Sequence, residues 1–194
     1  LQFDIHSMEK KMPEFIKAVT SIYESGYDMD YVSDQFILSS KCMDGKIMTQ
    51  SGVQYKALVL PAIKKMPDTV LKHIQEMIAQ GATVVFLENY PQDVPGWTKL
   101  NSRRASLKNS LKQLAIVQDF GQTQMTKYKN GRVITGTDYK HTLDAIGTQP
   151  EEMITRLGLH AIRRSNSEGY HYFVSCLQNK DVNDWVTLSV PAES

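Results

Sequence analysis

The chain has 194 residues, of which 41% are hydrophobic and 22% are charged, and its formal net charge is +1. This length allows one buried core, or one domain with part of a second. The near-neutral charge excludes binding to nucleic acid or to a membrane surface through bulk charge. No apolar run reaches about 18 residues, so no membrane span is predicted. Because the first residue is Leu1 and not methionine, we expect a piece of a longer gene product.

Metal-binding patterns are missing from the sequence. The two cysteines, Cys42 and Cys176, are far apart and form no CxxC pair, and the five histidines are scattered. Zinc sites in proteins use closely spaced cysteines and histidines. The sequence therefore predicts two free thiols, buried as free cysteines usually are, and neither a metal nor a cofactor in this chain.

The first elements are a helix and a short extended segment. Apolar spacing predicts a helix over 7–25, with Ser7 as its N-cap and Gly26 as its stop. The alternating stretch "YDMDY" predicts a strand over 28–32. A short helix or turn follows it, and an extended piece then leads to a buried strand over 57–60.

The stretch "MPDTVLKHIQEMIAQG" is the clearest helix in the chain. Pro67 and Asp68 suit its first turn, and Gly81 suits a left-handed end. The continuous apolar run "ATVVFLE" that follows is typical of a strand covered on both faces. Strand, helix and strand at this spacing predict a parallel βαβ unit. The predicted fold class is therefore α/β, with a flavodoxin-like, doubly wound and mostly parallel sheet.

The second half of the chain begins with helix and hairpin patterns and ends with β patterns alone. A helix over 102–115 is followed by a hairpin, whose turn we place at Asn130-Gly131, and by two short helical segments. After residue 158, three β patterns with no helix between them should pair antiparallel. We therefore predict two domains: an α/β domain over 1–158, and an antiparallel β segment over 159–194 that begins a β-sandwich.

The order of these segments resembles the C-terminal, non-barrel part of bacterial α-L-rhamnosidase-type glycoside hydrolases. The stretches that carry this resemblance are "GYDMDYVSDQFI", "YKALVLP", "MIAQGATVVFLENYP", "KNGRVITGTDYKHTLDAIGTQPE" and "LHAIRRSNSEGYHYFVSCLQNKDVNDWVTLSV". The part "YKALVLP…GATVVFL" is also similar to the trimerisation domain of some β-galactosidases. The resemblance implies a flavodoxin- or class I amidotransferase-like domain, followed by the start of a β-sandwich.

The resemblance also implies a function for the parent protein. That protein would be a carbohydrate-active glycosidase, periplasmic or secreted, whose catalytic residues and metal lie in a barrel that these residues do not contain. We therefore expect a non-catalytic structural domain with no catalytic, cofactor-binding or metal-binding residue of its own. Its expected partners are the barrel and β-sandwich domains of the same parent chain, and further copies of itself. The alternative is a free-standing flavodoxin-like binding module or an amidotransferase-like enzyme.

Three aspartates are candidates for contacts with a sugar or with a neighbouring domain. Asp28 and Asp30 lie two residues apart on the predicted strand and would share a face, and Asp34 follows closely. Glycoside hydrolysis needs two opposed carboxyl groups about 5 to 10 Å apart. The same aspartates equally suit polar positions at a sheet mouth or at an interface with the barrel.

The exit from the strand "ATVVFLE" is the second candidate site, because ligands gather at the carboxyl ends of parallel strands. Glu88 and Asn89 stand where a glycine-bearing turn is expected from the resemblance. A nucleophile elbow needs a nucleophile flanked by small residues, and neither is present, which argues against acyl transfer. Tyr90 and Trp97 fall in one Pro-containing loop that we predict to be exposed and to dock on a neighbouring domain.

Overall fold

A computed structural model of the protein describes residues 9–114 and 120–191. Within these ranges we number the helices α1 Pro13–Glu24, α2 Asp34–Ser39, α3 Asp68–Gln80, α4 Leu100–Gln113, α5 Tyr139–Asp144 and α6 Glu152–Thr155. The strands are β1 Lys41–Met43, β2 Lys46–Met48, β3 Gln54–Tyr55, β4 Leu58–Leu60, β5 Thr83–Leu87, β6 Gln124–Tyr128, β7 Gly131–Gly136, β8 His160–Asn166 and β9 Gly169–Ser175. Among the described residues, no helix combines the length and the apolarity needed to cross a bilayer.

The centre of the fold is a four-stranded sheet in the order β4-β5-β7-β6. Strands β4, β5 and β7 are parallel, and β6 pairs antiparallel with β7. All five residues of β5 are buried. Val84 and Phe86 of this strand pack in one cluster with α3 and α4, whereas Val85 and Leu87 pack in another with α1 and α5. The predicted α/β class is confirmed, with helices on both faces of a mixed sheet.

The predicted βαβ unit is confirmed. Helix α3 buries the apolar face that its spacing predicts, and Gly81 ends it with a φ of +126°. Strand β5 then pairs in parallel with β4. Because these elements are adjacent in sequence, the local pattern is enough to specify them.

The first helix differs from the prediction at its beginning. The proposed cap, Ser7, lies outside the described residues. Residues 9–11 are helical, but Met12 has a φ of −139° and a ψ of 55°, and α1 starts again at Pro13. Proline disfavours helical geometry in the residue before it, which explains the break. The predicted stop is confirmed, since Gly26 has a φ of +79°.

The prediction of a strand over 28–32 is wrong. This segment pairs with no described strand, although Tyr27 packs against Ile22 and Leu143. The ring of Tyr31 meets that of Phe15 edge-on, with 5.4 Å between centroids. Met29 is partly buried beside Tyr27, whereas Tyr31 and Val32 are exposed, so the alternation does not reflect a strand of a sheet.

The hairpin β6–β7 is confirmed, but its turn lies one residue before the predicted Asn130-Gly131. The loop residues are Lys129 and Asn130, and Lys129 has a φ of 52°. Gly131 is instead the first residue of β7, where a Cβ would lie 2.2 Å from the carbonyl oxygen of Ile78 and 2.5 Å from that of Ala82. This glycine therefore permits the close approach of two backbone segments.

Beyond residue 158, two of the three predicted strands are present. β8 and β9 pair antiparallel over seven residues each, whereas residues 184–190 form no strand. Instead, the backbone N–H of Thr187 donates to Glu152 Oε2 at 3.0 Å, and that of Ser189 to Glu151 Oε2 at 3.2 Å. These carboxylates take the donors that a neighbouring strand would use. We refer to residues 184–190 as the C-terminal strap.

Both cysteines are free, as predicted, but Cys42 is only partly buried and Cys176 is exposed. The expectation that both thiols are buried is therefore wrong.

Candidate functional site

Glu88 lies directly after β5, at the carboxyl edge of the parallel strands. Its φ of 65° is in the left-handed region, where the resemblance leads us to expect a glycine. This conformation costs roughly 1 kcal/mol for a residue with a Cβ. The side chain is held by an ion pair with Lys17 and by the hydroxyl of Tyr139, which donates to Oε1 at 2.9 Å. The turn therefore forms without glycine because contacts from α1 and α5 fix the Glu88 side chain.

The surroundings of Glu88 favour its anionic form. The hydrogen bond from Lys17 lowers the pKa of Glu88, partial burial opposes this, and the bond from Tyr139 adds to it. Burial, and then the bond to Glu88, raise the pKa of Tyr139. A glycosidase general acid needs a carboxyl group with a raised pKa. The environment of Glu88 has the opposite effect.

We expect Glu88→Gln to lower the free energy of unfolding by about 1 kcal/mol at neutral pH, through loss of the charged contacts. Because the folded-state pKa is depressed, this contribution is complete above the ordinary value of 4.5 and is lost as the pH falls through the folded-state pKa. Urea unfolding of both proteins between pH 3 and pH 7 should show a constant difference above about pH 5.5 that shrinks in acid. A difference independent of pH would contradict this assignment.

Asn89 and Tyr90 turn back into the protein after Glu88. The Oδ1 atom of Asn89 is buried and has no hydrogen-bond partner among the described residues. The Tyr90 ring lies 4.9 Å from Phe86 and 4.7 Å from Phe120, both edge-on, and burial raises its pKa. The prediction of an exposed patch is therefore wrong for Tyr90, which is partly buried and packs against the core cluster under α3 and α4.

Trp97 remains at the surface, with 89% of its area exposed. Two arginines of α4 brace the loop that carries it. Arg104 binds both carboxylate oxygens of Asp93, at 2.7 and 2.8 Å, and Arg103 donates to the carbonyl oxygen of Pro95 at 2.7 Å. The loop predicted to be an exposed aromatic patch thus carries one partly buried ring, Tyr90, and one exposed ring, Trp97.

The three aspartates, Asp28, Asp30 and Asp34, are exposed. The Tyr55 hydroxyl donates to Asp30 Oδ2 at 2.6 Å, and this bond, more than burial, raises the pKa of Tyr55 to about 12. Asp28 accepts from the backbone N–H of Met29, and Asp34 lies in the first turn of α2. Within the described ranges, no three His, Cys, Asp or Glu side chains are grouped so that they could hold a metal ion.

Two cavities that open to solvent are lined by residues other than Glu88. One, of about 340 Å³, lies beside Tyr27, whose hydroxyl donates to Asp144 Oδ1 at 2.8 Å. The other, of about 420 Å³, lies between α3 and α4. Neither is lined by any of the sequence-predicted site residues.

A buried carboxylate missed by sequence reasoning joins the two halves of the chain. The side chain of Glu151, 7% exposed, accepts from Arg163 Nη1 at 2.7 Å and from the Tyr172 hydroxyl at 2.9 Å. It also accepts from the backbone and side chain of Ser189 in the C-terminal strap. A glutamate that opens a short helix is typical of a solvated position, so no local signal indicates this role.

Comparison with known families identifies the chain. The sequence profile described as alpha-L-rhamnosidase matches residues 7–190. The chain belongs to this α-L-rhamnosidase family. No curated protein in the comparison matches it. The suspected resemblance is therefore confirmed, and the chain is a glycoside hydrolase-related domain.

A solved rhamnosidase structure contains a region with the fold described above. The rhamnosidase from Novosphingobium sp. PP1Y superposes on this α-L-rhamnosidase-family chain with a TM-score of 0.60 at 18% sequence identity. The alignment covers 76% of this chain and 14% of that one. The described fold thus corresponds to a small part of a much larger protein.

Proposed function

We propose that the chain is a non-catalytic structural domain that supports the catalytic barrel of an α-L-rhamnosidase-like enzyme. The observation that carries this proposal is the set of contacts made by the Glu88 carboxylate. This carboxylate follows β5 at its carboxyl end, and it is held by an ion pair with Lys17 and a hydrogen bond from Tyr139. Hydrolysis of a glycoside uses a pair of opposed carboxyl groups, of which the general acid has a raised pKa, whereas the contact with Lys17 lowers the pKa of Glu88.

The α/β part is, in this proposal, a flavodoxin- or amidotransferase-like body. The helices on both faces of the parallel strands β4, β5 and β7 support this assignment. An amidotransferase-like enzyme is the second candidate that such a body allows. It is less favoured because Glu88, Asn89 and Tyr90 occupy the exit of β5, where that class places a reactive cysteine.

Several residues are proposed contacts with the rest of the parent. Trp97 is the strongest of them, since a preorganised, exposed tryptophan is typical of interface anchors. Residues 159–194 would begin a β-sandwich in this arrangement, and the parent would be periplasmic or secreted. Self-association of the α/β part is a further proposal, which light scattering on the purified chain tests.

The purified chain should release no aryl group from an aryl α-L-rhamnoside. In the complete gene product, Glu88→Gln should leave the rate of hydrolysis within about twofold, because in this proposal Glu88 takes no part in the chemistry and its loss costs only local stability. Both are measured by release of nitrophenol from the nitrophenyl rhamnoside. Turnover by the chain alone, or a loss of rate of about 1,000-fold in the variant, as loss of an essential catalytic group would cause, would contradict a non-catalytic role.

A further inference from the structure

The hairpin β8–β9 buries little apolar surface against the α/β body, by which we mean residues 9–114 and 120–158. Every residue of its two strands is exposed or half-buried, and the side chains of Ile162 and Phe173 are 56% and 72% exposed. Among the described residues, no member of the three hydrophobic clusters lies beyond Ile146. Segments with few buried apolar contacts open at a lower free energy than the core of a protein. The position of the hairpin therefore depends on polar contacts.

One carboxylate makes the central polar contacts with both the hairpin and the C-terminal strap. Glu151 Oε1 accepts from Arg163 Nη1 of β8 at 2.7 Å and from the Tyr172 hydroxyl of β9 at 2.9 Å. Glu151 Oε2 accepts from the backbone N–H of Ser189 in the strap at 3.2 Å. Arg163 also donates to the hydroxyl of Ser189, so the hairpin and the strap contact each other. A single buried side chain thus joins both strands of the hairpin to the strap.

The backbone of Glu151 is attached to the α/β body. Its N–H donates to the carbonyl oxygen of Gly26, just after α1, at 2.9 Å. A Cβ at Gly26 would lie 3.0 Å from both the backbone nitrogen and the carbonyl oxygen of Glu151, so the two segments are in close contact. Met153 of α6 is buried as well. The main chain of Glu151 is therefore held by the α/β body, while its side chain holds the hairpin and the strap.

Two further attachments lie at the surface. His160 Nδ1 of β8 is 2.8 Å from the Tyr23 hydroxyl of α1, and this contact is exposed. Glu152, the second carboxylate that binds the strap, has a side chain that is 40% exposed. Exposed polar contacts contribute little because water competes for them, whereas losing one partner of a buried ion pair is costly. The contacts of Glu151 therefore contribute most to the attachment.

We propose that Glu151 is a latch. The hairpin β8–β9 and the C-terminal strap form one unit that opens from the α/β body while the body stays folded, and the Glu151 carboxylate holds this unit closed. Opening is cooperative, because both segments bind the same carboxylate and each other. An isolated two-stranded hairpin is marginally stable in water, so the released strands also lose their pairing. This property belongs to the chain itself and does not depend on the proposed function.

Native-state hydrogen exchange of the unaltered chain, followed by NMR at urea concentrations below the unfolding transition, tests the latch. The hydrogen-bonded amides of β8 and β9 and the amide of Ser189 should share one opening free energy, lower than that of the β5 amides. That free energy should also fall less steeply with urea, since the slope scales with the surface exposed. Hairpin amides with the opening free energy and urea slope of β5 would overturn the inference. A Ser189 amide that exchanges independently of the hairpin would overturn the common unit.

Two variants then identify the residue that holds the unit closed. Glu151→Ala should raise the opening constant of the hairpin and strap amides at least about 100-fold, as expected when one partner of a buried ion pair is removed. Glu152→Ala is the matched control and should raise it less than about fivefold, because its contacts are exposed. Equal effects of the two substitutions would show that Glu151 is not the latch.

Discussion

Glu151→Ala should lower the free energy of unfolding by about 3 kcal/mol, because removing one partner of a buried ion pair leaves the other charge uncompensated. Arg163 would lose its carboxylate while it remains three-quarters buried. The Tyr172 hydroxyl and the Ser189 backbone would each lose an acceptor as well. Urea unfolding at pH 7, monitored by circular dichroism, measures the change.

Glu152→Ala is the matched control for this prediction. Glu152 is the next residue, but its side chain is 40% exposed and its contacts are with Arg156 and the N–H of Thr187. We expect this variant to lose less than about 1 kcal/mol, as exposed ion pairs do. Adding Arg163→Met to Glu151→Ala should recover part of the lost stability, since the unpaired charge is then removed. Equal losses for the two glutamates would show that the buried charge is unimportant.

The Glu151 network also illustrates what sequence reasoning cannot reach. Its donors lie 12 to 38 residues away along the chain, and nothing in the composition around Glu151 distinguishes it from a surface acid. The same applies to Glu88. Its place at a strand end could be predicted from local periodicity, but its partner Lys17 lies 71 residues away. Local patterns specify elements, whereas the partners of charged side chains depend on tertiary packing.

The two wrong strand predictions have a common physical cause. An alternating pattern is typical of a strand, but a strand forms only where another strand takes its backbone hydrogen bonds. Residues 28–32 pair with no described strand and bury only Met29 in part, and residues 184–190 satisfy N–H groups with carboxylates of α6 and the residue before it. Strand β5 was predictable because all of its residues are apolar or β-branched, and only a strand between two helical layers is buried on both faces.

Of the glycine-to-alanine substitutions in the described part of the α/β body, Gly131→Ala should lower the free energy of unfolding the most. The added Cβ would lie 2.2 Å from the carbonyl oxygen of Ile78 and 2.5 Å from that of Ala82. Both atoms are backbone, so no side-chain rotation relieves the clash, and the end of α3 must move away from β7. Overpacking usually costs 1–3 kcal/mol, and we expect about 3 kcal/mol or more here because two rigid segments must separate. The change is measured by urea unfolding.

Gly147→Ala separates steric crowding from backbone strain. Gly147 has a φ of +78° and nothing within 4 Å of the position where a Cβ would lie, whereas Gly131 has no positive φ. The Gly147 variant should therefore lose only about 1 kcal/mol, the cost of a left-handed alanine. If Gly131→Ala loses no more stability than Gly147→Ala, the end of α3 moves without cost, and close packing of α3 against β7 does not explain why residue 131 is glycine. If Gly131→Ala loses much more stability, glycine is required at the first position of β7. That requirement would explain why the turn lies one residue before Asn130-Gly131.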